Sequence, residues 1–117
     1  MDNILREKSF QFAVKIVRLY QKIITENKEY VLSKQILKSG TSIGANVAEA
    51  NGGISPSDFS SKISIAYKES LETKYWLNLL KETGYITPQS FASLHSDCDE
   101  LSRIMYGILK KTRINIK

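Results

Sequence analysis

Histidine occurs once in the 117 residues, at His95, and the one cysteine, Cys98, follows three residues later. Asp97, Asp99 and Glu100 crowd the same stretch. Donors of these types could furnish half a zinc site, but a closed structural site takes four, mostly thiolate and imidazole. Periodicity puts Cys98 on an apolar seam with Phe91, Leu94, Leu101, Met105 and Ile108, where a buried, inert thiol is the common case. A di-iron bundle needs Glu-x-x-His, and position 92 is Ala92. No arginine lies shortly before His95 to form an arginine–histidine nuclease pair, and no elbow-like turn presents a serine nucleophile. We expect no metal, no cofactor and no catalytic residue: the chain does not read as an enzyme.

Glycines are the second chemical signal. The stretch SGTSIGANVAEANGG, residues 39–53, holds four of the six. A phosphate-binding loop would need Gly-Lys-Ser/Thr after a strand, and here neither the lysine nor the strand is present. Gly40 and Gly44 sit instead within a helical beat, where each costs about 1 kcal/mol relative to alanine. Close approach of another helix is the compensation we expect.

Charge is the third. Seventeen Lys+Arg against 12 Asp+Glu give a net +5. Residues 1–38 carry eight basic and four acidic side chains, and residues 85–117 carry five and three. Positive charge therefore gathers toward the chain ends, which suits an anionic partner such as RNA or DNA. Lys15, Arg18, Lys22, Lys34, Lys38, Lys110, Lys111 and Arg113 are the candidate phosphate contacts. Aromatic interleaving in these segments is slight (Tyr20, Tyr106), so we expect backbone binding without base readout.

The elements that must position these residues follow from hydrophobic spacing. Phe12, Ala13, Ile16, Leu19, Tyr20, Ile23 and Ile24 predict a helix over 9–26, with Ser9 as a candidate cap. Leu32, Ile36, Ile43, Val47 and Ala50 predict a second over 30–50. The loop NGGISPS breaks the chain, and Ser57 or Asp58 caps a third helix over 57–83, with Gly84 as its left-handed stop. Thr87-Pro88 restarts a fourth over 88–111. No period-two alternation is sustained. The expectation is an all-α chain, one domain over residues 1–117, folded as an antiparallel up-down four-helix bundle. No apolar run is long enough to cross a bilayer, and MDNILREKSFQF does not read as a secretory signal, so we expect a cytoplasmic protein with no membrane partner.

Two helices have apolar residues left over. On the second, Leu37, Thr41, Gly44 and Ala48 form another face of mostly small residues, with Gly40 between the two. On the third, Ile65, Tyr75, Trp76 and Leu79 point away from the Ile63 face. One bundle cannot cover both sides of two helices, so these nine residues predict an interface between copies of the chain. Asn46 and Glu49 read as structural, hydrogen-bonding to the neighbouring helix and fixing its register. Lys68 and Glu72 are spaced to pair on the surface. Lys74 falls near the Ile63 face and must either snorkel to water or meet a carboxylate.

The run TSIGANVAEANGGISPSDFSSKISIAYKESLETKYWLNLLKETGYI resembles the bacterial four-helix-bundle proteins encoded in intervening sequences of 23S ribosomal RNA genes. It is also similar to the accessory protein of diversity-generating retroelements. The resemblance spans nearly the whole chain and is strongest at Ser42-Ile43-x-Ala45-Asn46-Val47-Ala48-Glu49, Ser57-x-x-Phe59, Ile65-Ala66 and Gly84-Tyr85-Ile86. It implies a homopentameric ring with a basic surface and, by way of the retroelement relative, nucleic acid and a reverse transcriptase as partners. No catalytic residue is known for the family, so none carries over. Two functions of different class fit: a homo-oligomeric RNA-binding scaffold, which the charge placement favours, and a protein–protein adaptor with no nucleic-acid role.

Overall fold

The computed structural model describes residues 3–116, with side chains over 4–112. It contains four helices, α1 (Asn3–Glu26), α2 (Leu32–Asn51), α3 (Pro56–Glu82) and α4 (Pro88–Ile116), and no strand among the described residues. The helices pack into a rod of 48 × 21 × 21 Å. Each meets its sequence neighbours, and α4 closes the ring against α1 along a sparser seam.

Helix starts differ from the sequence expectations in instructive ways. Helix α1 begins six residues before Ser9, which is buried in its interior and donates its hydroxyl to the Arg6 carbonyl at 3.1 Å. The reason is Leu5: wholly buried, it extends the seam of Phe12, Ile16 and Ile23 by two turns. Helix α2 starts after Tyr30, capped by Glu29. That carboxylate accepts from the N–H groups of Val31, Leu32 and Ser33 at 2.8, 3.0 and 2.8 Å. Burial works against its charge, yet these bonds together hold the carboxyl below its usual value. The cap of α3 is Ser55, not Ser57 or Asp58. Its hydroxyl accepts from the Asp58 N–H at 3.0 Å, and Pro56 takes the first helical position, where no N–H is needed.

Other ends match. Gly84 has φ 83°, and the Tyr85 and Gly84 N–H groups donate back to Leu80 and Lys81 at 2.9 and 3.1 Å. Thr87 caps α4 through the Ser90 N–H at 3.1 Å. That helix continues to Ile116, five residues beyond the expected stop.

The core is aliphatic, built from Ile16, Ile36, Ile43, Ile63, Leu77, Leu80, Leu101 and Met105 around Phe12. Small hydroxyl residues run between α2, α3 and α4. Thr73 donates to Ser39 at 2.9 Å, and the buried Ser70 and Ser102 hydroxyls lie 2.7 Å apart. Every buried side-chain nitrogen or oxygen among the described residues has a partner, as a folded core requires.

The two helical glycines serve the α1–α2 contact. A Cβ on Gly40 would lie 2.8 Å from both γ-carbons of Ile16, and one on Gly44 would lie 3.1 Å from the Ser9 carbonyl oxygen. Gly40 is therefore an internal packing residue, and its place in the expected interface between copies is corrected. It is buried under α1 of its own chain. Gly44 stays partly open beside Phe10.

Candidate nucleic-acid interface and assembly faces

The contacts of Ile16 with Gly40 and of Ser9 with Gly44 fix how α1 lies on α2. They set Arg18 and Lys22 of α1 at about the level along the bundle of Lys34 and Lys38 of α2, but on different faces: Lys22 is seven residues from Lys15 and so lies on the side of α1 turned to α4. All four are exposed, and none forms an ion pair within 4 Å with a described residue. Lys38 does face Glu69 on α3. Burial raises the Glu69 carboxyl above its usual value, Glu72 adds to the rise, and the Lys38 charge opposes both. Lys15 is differently employed: its ammonium bonds Asp97 at 2.7 Å and, with Lys8–Glu100 at 3.0 Å, fastens α1 to α4. Lys110 and Lys111 are exposed near the far end of α4, so the eight expected phosphate contacts do not form one cluster. The Arg113 side chain lies outside the described residues.

The surplus apolar faces are real and occupy two places. Leu37, Thr41, Gly44 and Ala48 line the outer edge of α2 next to α1. Gly44 and Ala48 there share a groove with Phe10, 69 % exposed, and from Phe10 a second groove runs along Ala13, Val14 and Val17; Phe10, Val14 and Val17 are residues that the sequence reading missed. The missed signal was a second apolar row on α1, spaced 10, 13/14, 17, behind the stronger core row. Two shallow grooves, of about 360 and 420 Å³, follow this stripe. The second face is on α3, where Ile65 and Tyr75 are exposed and Trp76 and Leu79 half-buried. Tyr75 and Trp76 meet edge to face at 5.0 Å, and the indole N–H donates to Glu72 at 3.0 Å. Glu72 is thus engaged by Trp76, and no Lys68–Glu72 bridge forms.

The polar pair divides. Glu49 bonds Lys62 across the α2–α3 seam at 3.0 Å, in keeping with a register role. Asn46 does not reach across: its amide donates to the Ser42 carbonyl and hydroxyl one turn back, at 2.9 and 3.2 Å. The side-chain hydrogen bond between α2 and α3 is made instead by Ser39 and Thr73. Lys74 meets a carboxylate, Asp99, at 2.8 Å.

Chemistry at His95 and Cys98 is constrained by burial. Cys98 is fully enclosed, donates to the Ser70 carbonyl at 3.3 Å, and its thiol is pushed up to about 12 by burial, so almost no thiolate exists at neutral pH. The His95 ring packs against Phe91, centroids 5.1 Å apart. Among the described residues no three His, Cys, Asp or Glu side chains converge as metal ligands. None of their helices is long and apolar enough to cross a membrane.

These features define a four-helix, all-α protein with two apolar faces and separated clusters of positive charge. Its sequence matches the 23S rRNA-intervening sequence protein family over residues 1–107, and the chain belongs to that family. It is 49 % identical to a solved protein of unknown function from the S23 ribosomal protein family of Bacteroides thetaiotaomicron. That likeness covers 91 % of this chain and 98 % of the other, with a TM-score of 0.89. No curated protein matches the sequence.

Proposed function

We propose that the protein is a non-catalytic scaffold: an antiparallel up-down bundle that assembles with copies of itself and holds RNA on its basic surface. The observation that carries this reading is that Arg18, Lys22, Lys34 and Lys38 stand exposed on α1 and α2, none of them in an ion pair within 4 Å with a described residue. Cations without an intramolecular carboxylate within bonding reach release counterions when they meet phosphates, which gives affinity without sequence preference. Falling residue numbers on one helix opposite rising numbers on the next, as in Ser39–Thr73 with Glu49–Lys62, support antiparallel neighbours. The stripe on α1 and α2 and the ridge on α3 support assembly, since exposed apolar surface on this scale marks protein contacts. One face is grooved by small residues and the other is bulky. Two unlike faces fit a head-to-tail contact, and such a contact forms a ring when its rotation closes. Five copies is the expectation from family resemblance.

Fluorescence anisotropy of a labelled RNA tests the scaffold reading. Affinity should fall by at least about tenfold between 50 and 200 mM salt, and the triple variant Arg18→Glu, Lys22→Glu, Lys34→Glu should weaken binding by at least about tenfold again. Affinity that neither treatment lowers refutes it.

A further inference from the structure

Between α3 and α4 runs an open groove of about 320 Å³ lined by Tyr67, Leu71, Lys74, Asp99, Arg103 and Tyr106. Arg103, Tyr106 and Lys110 recur three and four residues apart, so they share one face of α4. Tyr67, Leu71 and Lys74 share the facing edge of α3 in the same way. Tyr106 is 55 % exposed, and its ring lies 6.0 Å from that of Tyr67 at a tilt of 44°, so the two rings do not cover each other's faces. Asp99 is the one carboxylate lining the groove, and it is shared: Lys74 bonds one oxygen at 2.8 Å and Arg103 the other at 3.1 Å. One negative charge between two cations leaves the groove positive, and Lys110 adds to it one turn farther along.

We propose that this groove is a stacking site for single-stranded RNA, with the exposed Tyr106 as the platform for an unpaired base, the half-buried Tyr67 behind it against the core, and Arg103, Lys74 and Lys110 holding the flanking phosphates. The proposal rests on the RNA-scaffold reading and adds the class of RNA and the place where its bases sit. Aromatic faces alternating with cations along a groove fit a strand whose bases are splayed out, because stacking is tolerant of sequence and the cations follow the backbone. A duplex offers no free base face to Tyr106, and an apolar protein segment would leave the positive charge in excess of Asp99 unneutralised.

The test measures binding of a labelled 20-nucleotide oligouridine and of a duplex RNA of equal length. Tyr106→Ala should weaken oligouridine binding about tenfold, as loss of one stacked base does, and leave duplex binding unchanged. Tyr106→Phe should retain wild-type affinity, because the ring and not the hydroxyl makes the contact. Lys110→Glu should lower the salt dependence as well as the affinity. Tyr106 is exposed, so circular dichroism should show unchanged helix content in its variants. Wild-type affinity in Tyr106→Ala, with binding still weakened by the Arg18/Lys22/Lys34 reversal, overturns the groove assignment and leaves the scaffold reading standing. No RNA binding by the unmodified protein overturns both. A drop in assembly mass for Tyr106→Ala identifies the groove as a contact between chains and overturns the proposal.

Discussion

Glu29 and Gly40 show how much one residue can decide. Glu29 lies outside α2, yet its carboxylate satisfies three of the N–H groups that open the helix. Its carboxyl sits below the usual value in the folded chain, so its stabilisation is complete above the unfolded value and disappears as pH falls through the folded one. Glu29→Ala should cost about 1 kcal/mol at pH 7 and almost nothing at pH 2, read from urea midpoints at the two pH values. At Gly40 a methyl group would gain about 1 kcal/mol of helix propensity. It would also strike both γ-carbons of Ile16 at 2.8 Å, a stiff and wholly buried neighbour. Overpacking of this kind costs about 1–3 kcal/mol, so Gly40→Ala should destabilise the protein. In an Ile16→Ala background the same change should become stabilising, because the clash is gone and the propensity remains. A double-mutant cycle showing additive effects would refute the close-approach account.

Elements were legible in their middles and less so at their ends. The three-and-four spacing of Ile36, Ile43 and Val47 or of Leu94, Cys98 and Leu101 carries its own evidence, because burial on one face repeats with the helix. Ends depend on one or two side chains. Pro56 read as part of the breaking loop, with Ser57 or Asp58 as the cap, whereas it opens α3 behind the extended backbone of Ser55. Leu5 was overlooked because the charged run Arg6-Glu7-Lys8 separates it from the next apolar residues. If α1 truly begins at Asn3, Leu5→Ala should cost about 2–5 kcal/mol, whereas Ile4→Ala, at a residue 54 % exposed, should stay within about 0.5 kcal/mol. Equal effects in thermal or urea unfolding would place Leu5 outside the core.

At the scale of the whole molecule, assembly is the property with most at stake. Phe10, Val14 and Val17 line a stripe that meets Gly44 and Ala48 at Phe10, and a charge placed there would be desolvated in any contact between copies. Phe10→Glu should therefore reduce the light-scattering mass toward 13.3 kDa while leaving helix content intact. An unchanged mass would remove this face from the assembly. The sequence by itself determined four helices, most of their core residues, two of them with apolar surplus, the family, and an unbalanced positive charge. Each of these is written locally, in spacing and in residue type. Only the tertiary structure decided which surplus faced inward. Gly40 and Gly44 look alike along the chain, yet one is sealed beneath Ile16 and the other opens beside Phe10. Likewise only packing tied Lys15 to Asp97 and left Arg18 outside. Pairings of this kind depend on which helices become neighbours and at what distance, and no periodicity within one helix encodes that.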